Sequence, residues 1–224
     1  MGGCLLRFGI LGGTFDPIHL GHCRLGEEAS EELKLERVFL VPAAAPPHKE
    51  KKPVTSFQQR LEMARIAAKA SPVLEVLDLE GRRYGLSYSI ETLRELHQLF
   101  KPDPEIFFIL GMDAFLEIET WKEYQRLFDY AHFVVIDRPG FALEALESFL
   151  LSLGVKFRKM GEGGLFVAPS GYTIISLKAT LMDISSTRIR EKAWVGKSLR
   201  FLVPEEVRSY IIENGLYGVH GVSR

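Results

Sequence analysis

The sequence predicts an α/β protein on a doubly wound, mostly parallel sheet with a small helical part at its C-terminal end, and three observations carry that prediction. Short apolar runs of β type alternate with longer segments whose apolar residues recur at helical spacing. The first run ends in a glycine pair, which allows the sharp exit that a strand-to-helix turn needs. Beyond residue 179 the pattern turns helical. Apolar strands separated by helices bury both faces of a parallel sheet, the Rossmann-like arrangement. Such sheets bind ligands at the carboxyl ends of their strands, near the switch in strand order.

The predicted strands are LLRFGIL (5–11), RVFLVP (37–42), VLEVLDL (73–79), EIFFILG (105–111) and HFVVIDRPG (132–140), with YTIISLKAT (172–180) as a further candidate. Helical spacing runs through 20–35, 57–70 and 88–100, and TSFQ (55–58) reads as a capping box opening the second of these. The prolines of PAAAPPHKEKKP (42–53) block helix and ladder alike, and its four basic side chains suggest a mobile loop facing solvent or an anion. SSTRIREKAWVG (185–196) and PEEVRSYIIENG (204–215) close the chain as helices, the latter with proline at its start and glycine at its end. There is no internal repeat, so the expectation is one domain over 1–224, its helical part at 179–224.

Composition narrows the partners. With 28 lysines and arginines against 29 aspartates and glutamates, the chain has no global basic field to draw it onto nucleic acid. Anion binding must therefore be local. Cys4 and Cys23 form no metal set, as expected of a reducing compartment. No basic flank and cleavage site mark a signal peptide, and MGGCLL has Leu6 where a myristoylation signal wants Ser or Thr. The longest apolar run, Ile106 to Leu110, is far short of the roughly 20 residues that span a bilayer. The expectation is a cytoplasmic protein away from membranes, with homo-oligomerisation left open.

The stretch ILGGTFDPIHLGH (10–22) holds the densest chemistry. Gly12 and Gly13 let a ligand approach the main chain without meeting a Cβ. The spacing is neither GxGxxG nor GxxxxGK[ST], which argues against a hydride-carrying dinucleotide site and against a P-loop. If a helix starts near Leu20, His19 and His22 stand one turn apart at its amino end, where unpaired N–H groups and the dipole favour anions. Two imidazoles there can donate to phosphate oxygens and to charge developing in a transition state. Asp16 is a candidate for a magnesium ion or a ribose hydroxyl. In SSTRIR (185–190), hydroxyls at a helix start together with Arg188 form a second anion cradle. The bland alternatives are helix capping for Asp16, His19 and Ser185 and a solvated face for Arg188.

GGTFDPIHLGH resembles the HxGH signature of the nucleotidyltransferase superfamily, and ISSTRIR (184–190) resembles its partner, a [ST]xTxxR-type motif opening a late helix. PPHK (46–49), YGLSYSIETL (84–93), ILGMDAFLEIETWKEY (109–124) and AHFVVIDRPG (131–140) extend the resemblance over nearly the whole chain to the bacterial nicotinate-nucleotide adenylyltransferase family. The resemblance implies ATP contacts at Gly12, Gly13, Thr14, Phe15, Asp16, His19, His22, Gly111, Asp113, Ser185, Ser186, Thr187 and Arg188. His19, His22 and Arg188 are then the catalytic residues and Asp16 the metal ligand. It also implies that Trp121 stacks on nicotinate, that backbone amides near Ser89 and Lys122 meet its carboxylate, and that His48, Lys49 and Arg138 meet the mononucleotide phosphate. The chain departs at AAAPP, where such enzymes carry an asparagine. Ala43, Ala44 and Ala45 have no side-chain amide, so part of that mononucleotide contact is missing or comes from elsewhere.

The implied reaction joins ATP, with magnesium, to nicotinate mononucleotide. The phosphate acceptor is already anionic, so positioning and charge stabilisation carry the chemistry. Nicotinamide mononucleotide or phosphopantetheine as acceptor, and a non-catalytic nucleotide-binding module, stay open at this point.

Overall fold

The apolar runs are continuous because the central strands are buried on both faces, successive side chains entering opposite cores. The structure, a computed structural model, describes residues 6–47, 55–101, 104–137, 143–161, 164–180 and 182–218. Five of its strands are β1 (Arg7–Gly13), β2 (Arg37–Pro42), β3 (Leu74–Val76), β4 (Glu105–Gly111) and β5 (His132–Ile136). They are followed by β6 (Arg158–Met160), β7 (Leu165–Val167) and β8 (Thr173–Leu177). All eight form one sheet in the order β3-β2-β1-β4-β5-β8-β7-β6. The first six of that order pair in parallel, whereas β6, β7 and β8 pair antiparallel.

The helices are α1 (Leu20–Leu33), α2 (Phe57–Ala68), α3 (Ser89–Leu99), α4 (Met112–Leu116), α5 (Tyr124–Leu127), α6 (Leu143–Ser152), α7 (Ser186–Trp194) and α8 (Glu205–Glu213). One core holds Phe8, Ile10, Phe108, Leu110, Phe133 and Val135 against α3 to α6. The opposite core holds Leu11, Phe107, Ile109, Val134 and Ile136 against α1, α2, α7 and α8. Within β4 and β5 the assignment alternates residue by residue, as a two-faced strand requires. The order of strands reverses between β1 and β4, so the ends at Gly13 and Gly111 flank the switch point.

Three expectations change. The run 73–79 is a strand only over Leu74–Val76; Leu79–Arg82 is a 3-10 turn, because β3 is an edge strand that pairs with β2 alone. The cap of α2 is Ser56, whose Oγ accepts from the Gln59 amide at 3.4 Å, so the cap sits one residue later than TSFQ suggests. The β6–β7 hairpin, α4 and α5 go beyond the predicted elements, since strands of three residues and helices of four or five are too short for a period to show; the ten-residue α6 is a further addition.

Candidate active site

The amino end of α1 is sealed. His19 is its N-cap, 7% exposed, and its backbone N–H donates to Nδ1 of His22 at 3.2 Å. An accepting Nδ1 fixes the neutral His22 ring with its hydrogen on Nε2. The two imidazoles stack with centroids 3.6 Å apart, and the edge of buried Phe15 meets His22 at 5.0 Å. Burial pushes the His19 pKa from 6.5 down to about 4, so its ring is neutral at pH 7. Buried His19 Nδ1 has no hydrogen-bond partner among the described residues. Gly21 leaves room for that packing: a Cβ there would stand 3.2 Å from His19 Nδ1 and 3.3 Å from Cε1, so the ring would have to shift by a few tenths of an ångström.

The second sequence motif arrives beside the first. Ser186 Oγ donates to the Pro17 carbonyl at 2.8 Å, and Arg190 Nη1 donates to the Asp16 carbonyl at 2.6 Å. The arginine of this motif that reaches the histidine loop is therefore Arg190, not Arg188. Arg188 pairs instead with Asp183 at 2.9 Å, and both side chains are more than half exposed. Ser185 Oγ is occupied in capping α7, accepting from the Arg188 amide at 3.2 Å, and Thr187 Oγ1 accepts from Arg190 at 3.3 Å. The C-terminal segment seals the same loop: Leu202 O accepts from the Leu20 amide at 3.0 Å, and the Tyr217 hydroxyl donates to Asp16 Oδ1 at 2.8 Å.

Asp16 is 3% exposed, and its Oδ2 accepts from the Thr55 amide at 3.4 Å with Arg190 4.0 Å away. Both oxygens thus serve the fold. Among the described residues no three His, Cys, Asp or Glu side chains come together to hold a metal ion. The donor set does not fit a protein-held magnesium at Asp16.

Arg60 is the residue that sequence reasoning missed. It is 2% exposed, and its guanidinium donates to the carbonyls of Thr14 (2.6 Å), Ala43 (2.7 Å), Ala44 (3.2 Å) and Thr55 (2.9 Å). One cation thereby ties the β1–α1 turn to the segment after β2. The signal was an arginine beside Leu61 on the apolar stripe of α2, one turn before Ala64. The alanines that replace the expected asparagine work through their backbones: Ala45 accepts from the Ser87 amide at 2.9 Å and donates to Ser87 Oγ at 3.1 Å.

A cavity of about 380 Å³ opens at the carboxyl ends of β1, β2 and β4. Gly12, Gly13, Thr14 and His22 form one side of it, and Gly111 and Ala114 the end of β4. Ser87, Ser89 and Trp121 line it from the α3 side, where the Ser89 and Ile90 amides precede the first intrahelical bonds, those of Glu91 and Thr92 to the Tyr88 carbonyl. The Trp121 ring meets Phe108 edge-on at 6.0 Å and is half-buried. Lys122 Nζ pairs with Glu91 at 2.6 Å and lies 4.5 Å from the ring centre of Tyr88, the N-cap of α3. Asp113 lies exposed in α4, just past Gly111. His48, Lys49 and Arg138, with the second half of loop 42–53, lie outside the described residues.

Residues 10–192 match the family model described as cytidylyltransferase-like. A protein of Geotalea uraniireducens named probable nicotinate-nucleotide adenylyltransferase is 45% identical over 213 residues, covering 95% of this chain and 98% of its own length. One of the same name from Desulfatibacillum aliphaticivorans is 43% identical over 218 residues, covering 95% and 100%. Among solved structures, the nicotinic acid mononucleotide adenylyltransferase of Plasmodium falciparum complexed with NaAD superimposes with a TM-score of 0.73 at 21% identity, covering 96% of this chain and 98% of that one. A putative nicotinate-nucleotide adenylyltransferase from Vibrio parahaemolyticus gives 0.61 at 17% identity, covering 95% and 96%. At these identities the two structures speak for the fold, and the curated relatives for the family.

Proposed function

The chain belongs to the cytidylyltransferase-like family and, within it, to the nicotinate-nucleotide adenylyltransferases, and from that premise we propose that it joins ATP to nicotinate mononucleotide. An oxygen of the mononucleotide phosphate attacks the α-phosphorus of ATP in line. The bond from that phosphorus to the bridging oxygen breaks, releasing pyrophosphate and leaving nicotinate adenine dinucleotide. Magnesium enters as part of the ATP substrate, and no step is routed through a protein-held ion.

The observation that carries this reading is the single cavity shared by the glycine turn with His22 on one side and by the α3 start with Trp121 on the other. On the first side, Gly12 and Gly13 admit the triphosphate against the main chain, and Nε2–H of His22 donates to the α-phosphate oxygens as their charge grows. Neutral His19 backs that ring by stacking. The start of α7 with Arg190 receives the leaving pyrophosphate. On the second side, the α3 amides and the positive end of its dipole favour the nicotinate carboxylate, and the indole of Trp121 offers an electron-rich face to the pyridinium.

Pyrophosphate release with nicotinate and nicotinamide mononucleotide at equal concentration tests the proposal. A strong preference for the nicotinate form is expected; equal rates would remove the anion-selective role of α3. No release with either acceptor would sink the reaction. A cytoplasmic location is part of the same proposal, in keeping with free Cys23 and with the absence, among the described residues, of any helix long and apolar enough to cross a membrane.

A further inference from the structure

Glu80 is a buried carboxylate on the wall of the cavity that no step above uses. It sits in the 3-10 turn Leu79–Arg82, is 8% exposed, and lines the same cavity as Ser89 and Trp121. Its Oε1 accepts from the Thr92 hydroxyl at 2.6 Å. Arg83 does not neutralise it in the usual two-point manner: Nη2 donates to Thr92 Oγ1 at 2.6 Å and lies 3.6 Å from Oε1, while Nη1 lies 3.3 Å from Glu95. The result is a carboxylate held by one oxygen. Oε2 is buried and has no hydrogen-bond partner among the described residues.

A purely structural ion pair would engage both oxygens, because a fork-shaped guanidinium bonds a carboxylate best two-on-two. An acceptor left bare in the interior is costly to the fold. A ligand that brings a donor relieves that cost. We propose that Glu80 accepts a hydrogen bond from a ribose hydroxyl of the mononucleotide, an inference that rests on the acceptor assignment above. The chemistry of the acceptor singles out that group. Its ring carboxylate and its phosphate are anions that only accept, so its two ribose hydroxyls are its only hydrogen donors. A carboxylate facing either anion would repel it. Glu80 stands on the α3 side of the cavity, the side assigned to the pyridine ring, and the ribose is the group joined directly to that ring. Thr92 and Arg83 then act as the fixture that holds Oε1 still and leaves Oε2 to the ligand.

The test is a cycle of two proteins and three acceptors: wild type and Glu80→Leu, each with nicotinate mononucleotide and with its 2′-deoxy and 3′-deoxy analogues, read as kcat/KM for pyrophosphate release. Losing a hydrogen bond to a charged group costs about 10- to 100-fold. Wild type should lose that much with one of the two analogues. Glu80→Leu should lose as much with the natural acceptor, mainly in its KM, and nothing more with that same analogue. Equal losses on all three acceptors would assign Glu80 to the fold alone and overturn the proposal. Should Glu80→Leu fail to fold, wild type decides by itself, since an enzyme indifferent to both deoxy analogues has no such contact. Wild type inactive on nicotinate mononucleotide would instead remove the acceptor assignment, an outcome distinct from indifference to the missing hydroxyl.

Discussion

The amino ends of α1 and α7 meet at residues 16–17, one sealed and one open, and they manage charge in opposite ways. At α1, His19 is buried and neutral, its ring stacks on His22, which in turn meets Phe15, and the Leu20 amide is already paired with Leu202. At α7 the positive charges stay near water, with Arg188 mostly exposed and Arg190 about a third exposed. A sealed start can aim a fixed donor at a small target, because nothing near it reorganises. An open start can accept and release a highly charged group, because water screens what is left behind. That division fits a site that must stabilise an α-phosphate and then let pyrophosphate go.

The sharpest break in the comparison would come from His22→Ala. Turnover should fall by about 10²- to 10³-fold, the scale of losing one positioned donor, and a pyrophosphate-release rate near wild type would take the sealed end out of catalysis. Acid tests the same end through stability. The folded pKa of His19 is about 4 against 6.5 for the free side chain. The unfolded chain therefore binds a proton between those values that the folded chain does not, so stability is full above pH 6.5 and falls as pH drops towards 4. The loss is up to about 3 kcal/mol. Equilibrium unfolding across that window should show the slope in wild type, and a flatter one in His19→Gln.

Smaller effects come from the seam between the two ends. Gly21→Ala should cost about 1–3 kcal/mol through the contact with His19, read as a lower midpoint of thermal unfolding. Arg190→Ala should slow turnover about tenfold or more, since it removes the bond to the Asp16 carbonyl. Arg188→Ala should stay within about threefold, because an exposed pair contributes little. The reverse order of these two arginines in a steady-state assay would return the role to Arg188.

The order of strands and helices was legible because each long element carries its own period: β4 and β5 as unbroken apolar runs, α1 and α3 as helical spacing. The cap of α2 was misplaced by one residue because Thr55 and Ser56 are chemically interchangeable as caps, and only the pull of Asp16 on the Thr55 amide separates them. Arg60 and Glu80 were invisible for a different reason. Glu80 looks like an ordinary surface charge in sequence, and the place of Arg60 on the apolar stripe of α2 hints at burial without naming its partners; only the carbonyls around one and the cavity beside the other reveal their work.

The sequence by itself determined the parallel sheet, the glycine exit from β1 and the presence of two histidines one turn apart, because backbone freedom, residue period and side-chain chemistry are local properties. Tertiary structure alone decided which arginine of SSTRIR reaches the first loop, that Asp16 turns inward to Tyr217, and that Ala43 to Ala45 dock through their carbonyls and amides. Those choices depend on which groups arrive from positions 17 to 201 residues away, and on the cost of burying any one of them without a partner.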